Sequence, residues 1–165
     1  PQEGYLFTET LKENIRYGNP EASIGMVEKS AYQARMSDDI KGFPDGFKTL
    51  VGERGITLSG GQRQRTALSR ALLVDSKIIV LDDALASVDN KTASAILKSI
   101  KNQFNKTVLM ISHQLSAAAA CDRILVMNNG RIVQEGTHQN LINKEGLYKS
   151  MWEREKAKQK IQSED

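Results

Sequence analysis

Two glycines stand between Ser59 and Gln62, and a long helical pattern follows them in ITLSGGQRQRTALSRALL. Ala67, Leu68, Ala71 and Leu72 recur at helical spacing on one face. Ser59 and Gln62 have the S/T-x-x-Q spacing of a capping box, which predicts Ser59 as the cap of that helix. Glycines just ahead of a helix let a phosphate approach free backbone N–H groups at its positive end. A bare SGG also fits an ordinary capped surface helix, so the residues downstream must decide.

They supply acids and a histidine. Ile78, Ile79, Val80 and Leu81 form a short, β-branched run that ends abruptly in Asp82-Asp83. Such a run, fed by a helix, predicts a buried strand of a parallel sheet. Ligands of open α/β sheets bind at the carboxyl ends of the strands, where these two aspartates emerge. A carboxylate there suits Mg²⁺, which is held by one or two carboxylates plus phosphates and keeps several waters. The bland alternative is a pair of acids capping the next turn. A second such run, Thr107 to Ile111, delivers His113 at its end.

The full LSGGQ-x-QR string, with a long helix behind it, resembles the signature motif of ATP-binding cassette (ABC) ATPases. The resemblance covers nearly the whole chain. It places Asp82 on the Walker B position and Asp83 on the next, where the family usually carries a catalytic Glu. Asp89, in ALASVD, matches the end of the D-loop, and His113 matches the switch histidine. Gln2, in PQEGYLFTETLKENIRYG, matches the glutamine of the Q-loop. The implied cofactors are ATP and Mg²⁺. Gln2, Ser59, Gly60, Gly61, Gln62 and Asp89 would contact the nucleotide, Asp82 and Gln2 would hold the metal, and Asp83 and His113 would do the catalytic work. The implied fold is α/β: a P-loop NTPase (RecA-like) parallel sheet with an inserted helical subdomain. The implied partners are a second nucleotide-binding domain and membrane-spanning domains, at the cytoplasmic face of the membrane.

No G-x-x-x-x-G-K-[ST] string occurs among the 165 residues, and no strand pair with an adenine-stacking aromatic precedes Gln2. The expected object is therefore the C-terminal portion of such a domain, inactive alone, with apolar sheet surface left uncovered. Hydrophobic content of 39% argues for a folded chain. There is no apolar run of about 18 residues and no signal-peptide pattern at the start. The single Cys121 excludes an internal disulfide. A formal charge of +3 is too small to argue for nucleic acid, and the basic residues of the tail alternate with acids as on a solvated helix.

Three blocks are expected. Residues 1–57 hold the Q-loop and helical subdomain, with a turn at Pro44-Asp45-Gly46. Residues 58–146 hold the rest of the ATPase core, and 147–165 a C-terminal helix and tail. From Leu58 to about Met127 helix and strand patterns alternate, which implies parallel pairing. Asn129-Gly130 between two strand-like runs predicts a hairpin, and Thr137 is placed to cap the helix after it. The VGERG segment with Glu53 and the GRIVQEGTHQNLINKEGLY ending resemble ABC exporters, in which the Glu contacts the membrane domain.

Asp83 departs from the family pattern. Its carboxylate falls roughly 1 Å short of a water positioned for glutamate, a misplacement on the order of a hundredfold in rate. In the family this replacement marks the weakly hydrolytic half of heterodimeric exporters. Two other readings compete: a regulatory module that holds ATP without turnover, and a soluble ABC-type ATPase of DNA maintenance. The VGERG segment and the lack of long coiled-coil arms speak against the latter.

Overall fold

A computed structural model describes residues 5–52, 56–103 and 106–162; Gln2 and Glu53 lie outside the described residues. The chain divides after His113 into two compact units.

In the first unit a fourteen-residue helix packs against shorter helices that come before it. Helices α1 (Leu11–Arg16), α2 (Ile24–Gln33) and α3 (Ser37–Gly42) precede it, and a 3₁₀ turn at Gly46–Lys48 follows the expected Pro-Asp-Gly turn. Thr10 caps α1 by accepting from the Glu13 N–H, and Ser23 caps α2 by accepting from that of Met26. Short strands β1 (Glu9–Thr10) and β2 (Leu50–Val51) pair antiparallel. Helix α4 (Gly60–Leu73) then packs against α1 and α2. Leu11, Ile15, Val27, Met36 and Leu68 are almost fully buried in this unit.

The buried face of α4 is wider and more polar than the alanine–leucine stripe predicts. Leu68 and Leu72 are buried, Ala67 and Ala71 only partly, and Gln64, Thr66 and Ser69 are buried as well. Hydroxyls tolerate burial when bonded, and here each is. Thr66 donates to the Gln62 carbonyl and Ser69 to that of Arg65, both at 2.8 Å, with the Met36 sulfur close to both hydroxyls.

Helix α4 feeds β3 (Ile78–Asp82), then α5 (Asn90–Gln103), then β4 (Thr107–Ile111). Strands β3 and β4 pair in parallel, Ile78 opposite Thr107 through Asp82 opposite Ile111. The expected mixed α/β fold with a small parallel sheet is thus present. The strands are not buried on both faces, however. Ile79 and Leu81 point into the unit, while Ile78 and Val80 are 61% and 56% exposed and Leu109 and Ile111 slightly less. Paired residues share a sheet face, so these four side chains form one open apolar surface. It is the uncovered sheet that the sequence leads one to expect.

The second unit contains α6 (Leu115–Ala118), β5 (Ile124–Asn128), β6 (Arg131–Gly136), α7 (His138–Ile142) and α8 (Leu147–Gln162). Strand β5 pairs antiparallel with β6 in a hairpin, where the alternating pattern up to Met127 predicts parallel pairing. Asn129 and Gly130 make its turn with φ of 48° and 74°, the two positive values a type I′ turn requires. Thr137 caps α7 through the Asn140 N–H. Leu115, Ile124, Val126, Leu141 and Tyr148 form the core, and the Tyr148 hydroxyl meets His138 Nδ1 at 2.8 Å.

Candidate functional site

The start of α4 is doubly tied. Ser59 Oγ accepts from the Gln62 N–H at 3.2 Å, and Gln62 Oε1 accepts from the Ser59 N–H at 2.9 Å. The predicted capping box is therefore complete. The first turn of a helix has N–H groups without intrahelical partners. At Ser59 and Gly60 that turn is exposed. Ser59 uses its oxygen as an acceptor, which leaves the hydroxyl proton for an incoming anion. Fourteen residues of aligned helix dipole stand behind this end.

The two glycines answer to different neighbours. A Cβ on Gly61 would lie 2.9 Å from the Ser87 carbonyl oxygen and 3.3 Å from Arg65 Nη1. A Cβ on Gly60 would meet only the Ser87 side chain, at 3.4 Å. Ser87 is held there because its N–H donates to Gln64 Oε1 at 2.8 Å. The segment between β3 and α5 thus crosses the first turn of α4, and Gly61 is small because that backbone passes over it. Gly60 has no such internal reason.

A second group of side chains gathers where the parallel strands end. Asp82 closes β3 opposite Ile111, and the Asp83 N–H donates to the Ile111 carbonyl at 2.9 Å. His113 follows Ile111 by two residues, so both acids and the histidine leave the sheet at one end. Asp82 and His113 are exposed and Asp83 is half-buried. Asp83 has φ of 47°, in the left-handed region that aspartate tolerates better than most residues. Asp89 acts locally, its carboxylate accepting from the Thr92 N–H at 2.9 Å at the start of α5. Those backbone and side-chain hydrogen bonds from Thr92 hold its carboxyl below the ordinary aspartate pKa.

The donor set fits Mg²⁺ bound together with phosphates. Asp82 and Asp83 offer two carboxylates at an exposed strand end, and among the described residues no group of three His, Cys, Asp or Glu could hold a metal ion. One or two carboxylates completed by phosphate oxygens and water is the arrangement this ion prefers. Two hollows, of about 570 and 520 Å³, are lined by other residues, around Gln134 and Leu141 and around Phe7 and Tyr17. Of the described candidates, Ser59, Gly60, Asp82, Asp89 and His113 are exposed, and Gly61, Gln62 and Asp83 half-buried.

Sequence reading missed several residues that hold this site. Asp39 accepts from Gln62 Nε2 at 3.0 Å and from Arg65 Nη2 at 2.7 Å. Buried Asn14 bonds the Phe7 N–H and carbonyl at 2.8 and 3.0 Å and takes Arg70 Nη2 at 3.3 Å. Arg70 also donates to the Asn14 and Tyr5 carbonyls and lies over the rings of Phe7 and Tyr17, so α4 grips the segment that follows Gln2. Desolvation lowers its pKa, with Tyr17 opposing the shift. Asn14, Gln64, Arg65, Arg70 and Ser87 sat inside the motif strings without being singled out, and Asp39 lay outside all of them.

A family model described as "ABC transporter" matches residues 1–86. The multidrug resistance-like ATP-binding protein MdlA of Buchnera aphidicola is 43% identical over 164 residues, which is 98% of this chain and 28% of MdlA. The probable multidrug resistance ABC transporter ATP-binding/permease protein YheI of Bacillus subtilis is 44% identical over 156 residues, 94% of this chain and 27% of YheI. The solved structure of a bacterial Atm1-family ABC exporter with ATP bound superposes with a TM-score of 0.87 at 39% identity, covering 94% of this chain and 28% of that one. The chain spans about a quarter of the length of the curated relatives it matches. No helix among the described residues is long and apolar enough to cross a membrane.

Proposed function

The chain belongs to the ABC transporter family, and from that membership we propose that it is the signature-bearing part of an ATP-hydrolysing cassette that powers export across a membrane. The observation that carries this reading is the exposed, doubly capped start of α4 with its two glycines. Relatives named as multidrug resistance proteins and a neighbour named as an exporter support the direction of transport.

Each residue then has a role. Ser59, Gly60 and Gly61 present a hydroxyl, backbone N–H groups and a helix dipole to the terminal phosphate of ATP held by a second cassette. Gln62 keeps Ser59 in place. Asp82, with Gln2, would hold Mg²⁺, which when bound neutralises charge on the phosphates. Asp83 orients and deprotonates the attacking water at this chain's own site, and His113 donates to the phosphate as charge develops. Asp89 shapes the segment that meets the second cassette. Helices α1–α3 and Glu53 face membrane-spanning domains, which places the chain at the cytoplasmic side of the membrane. No G-x-x-x-x-G-K-[ST] loop that would cradle the phosphates occurs in these 165 residues. The cargo is not specified by any of these groups.

Asp83 makes this the weaker half of a heterodimer. General-base assistance contributes roughly 10²–10⁴-fold and requires hydrogen-bond contact with the water. The test is single-turnover hydrolysis in the complete transporter, with the partner's catalytic acid neutralised. Asp83→Glu should raise the rate at this chain's own site, less a cost on the order of 1 kcal/mol for glutamate at a positive φ. No increase would favour the second reading, a regulatory module that holds ATP without turnover.

A further inference from the structure

We propose that Asp39 is a positioning residue for the phosphate-facing start of α4, and that it couples the helical block α1–α3 to Ser59. The inference rests on the reading of Ser59 as a phosphate ligand. Asp39 lies in the first turn of α3, twenty residues before Ser59 in sequence, and belongs to no motif.

The geometry forms a chain of three links. Asp39 Oδ1 accepts from Gln62 Nε2 at 3.0 Å. That bond fixes which way the Gln62 amide points, because a carboxylate accepts only from the NH₂ end. The other end, Oε1, is thereby aimed at the Ser59 N–H, which it accepts at 2.9 Å. Without Asp39 the amide can turn over, present its NH₂ to the Ser59 N–H and open half of the capping box. Ser59 then loses the restraint that sets its hydroxyl.

The second carboxylate oxygen works on the other wall of the same turn. Asp39 Oδ2 takes Arg65 Nη2 at 2.7 Å, with the arginine and aspartate side chains 14% and 19% exposed. A pair this shielded is screened far less than a surface ion pair. It holds the guanidinium beside Gly61, where Nη1 is 3.3 Å from the position of a Cβ. Arg65 Nε is buried and has no hydrogen-bond partner among the described residues, so Asp39 is the anchor of this cation. One carboxylate thus sets both Gln62 and Arg65, and any displacement of α3 reaches Ser59 through them.

The experiment uses the complete transporter and reads ATPase rate against ATP concentration. Asp39→Ala should raise the half-saturating ATP concentration about tenfold, the effect of one lost charge-assisted hydrogen bond. Asp39→Asn, which keeps the oxygen facing Gln62 but not the ion pair, should recover part of that loss. Gln62→Ala should give a similar rise, and the double variant no more than the larger single effect. A role confined to folding would lower the maximal rate and leave half-saturation unchanged. Unchanged half-saturation in Asp39→Asn and Asp39→Ala, or additive effects with Gln62→Ala, would overturn the proposal. If Ser59→Asp in the same transporter leaves hydrolysis intact, the parent reading fails instead, and the coupling with it.

Discussion

Alanine at Gly61 and at Gly60 should have opposite consequences. At Gly61 the new Cβ would lie 2.9 Å from the Ser87 carbonyl oxygen, a backbone atom that cannot swing away alone. Relief of a few tenths of an ångström must move the whole segment that carries Ser87. That movement stretches the 2.8 Å bond from the Ser87 N–H to Gln64 Oε1, whose acceptor is buried. Overpacking of this kind costs about 1–3 kcal/mol and a weakened hydrogen bond about 1 kcal/mol more. The better helix propensity of alanine offsets up to ~1 kcal/mol. The net expectation for Gly61→Ala is a loss of about 1–3 kcal/mol. At Gly60 the nearest atoms are the tip and Cβ of the Ser87 side chain, at 3.4 and 3.5 Å, an ordinary contact. Gly60→Ala should therefore be neutral or stabilising by up to ~1 kcal/mol. Thermal unfolding followed by circular dichroism should separate the two variants by about 4–8 °C in Tm. In the complete transporter the order reverses in kind, since Gly60→Ala should impair hydrolysis while its fold stays intact. Equal midpoints for the two alanines would refute the packing argument.

Other expectations follow from single contacts. Asn14→Leu should destabilise the first unit by about 1–3 kcal/mol in urea unfolding, because the Phe7 N–H of a half-buried residue loses its partner, while the Phe7 carbonyl keeps the Glu9 N–H. The purified 165-residue chain should bind Mg-ATP too weakly for calorimetry in the micromolar range, since the backbone cradle and lysine of a phosphate-binding loop are absent from its sequence. Burial, with Glu155 and Cys121 adding to it, raises the Tyr148 pKa above its ordinary value of 10.0. Its contribution to stability is therefore complete below that pH and is lost as pH climbs through the folded-state value. Tyr148→Phe should remove this alkaline decline and cost about 0.5–1.5 kcal/mol at neutral pH through the lost bond to His138.

What could be read beforehand was local or periodic. The Ser59–Gln62 box, the Thr137 cap, the Asn129-Gly130 turn and the strands ending at Asp82 and Ile111 each follow from neighbouring residues. Burial of both strand faces could not be, because it depends on which strands lie alongside, and Ile78 and Leu109 are left open here. Thr66 and Ser69 were invisible as core residues because their hydroxyls are satisfied by carbonyls of their own helix. Asp39 and Arg70 act over separations of 26 and 56 residues. A charged residue on an amphipathic helix carries no mark of such a partner. The glycines were legible as exposed backbone, but the pressure of Ser87 on Gly61 was not.

The start of α4 is proposed to bind phosphate rather than merely to begin a capped helix, and Ser59→Asp separates the two. Aspartate caps a helix as well as serine and adds a favourable charge at the positive end of the dipole, so the fold should be as stable as before or slightly more so. The same charge would repel a phosphate brought to that end. Steady-state ATPase of the transporter carrying Ser59→Asp should fall at least about tenfold with Tm unchanged or raised. Hydrolysis at the parental rate, with the helix still capped, would contradict the account.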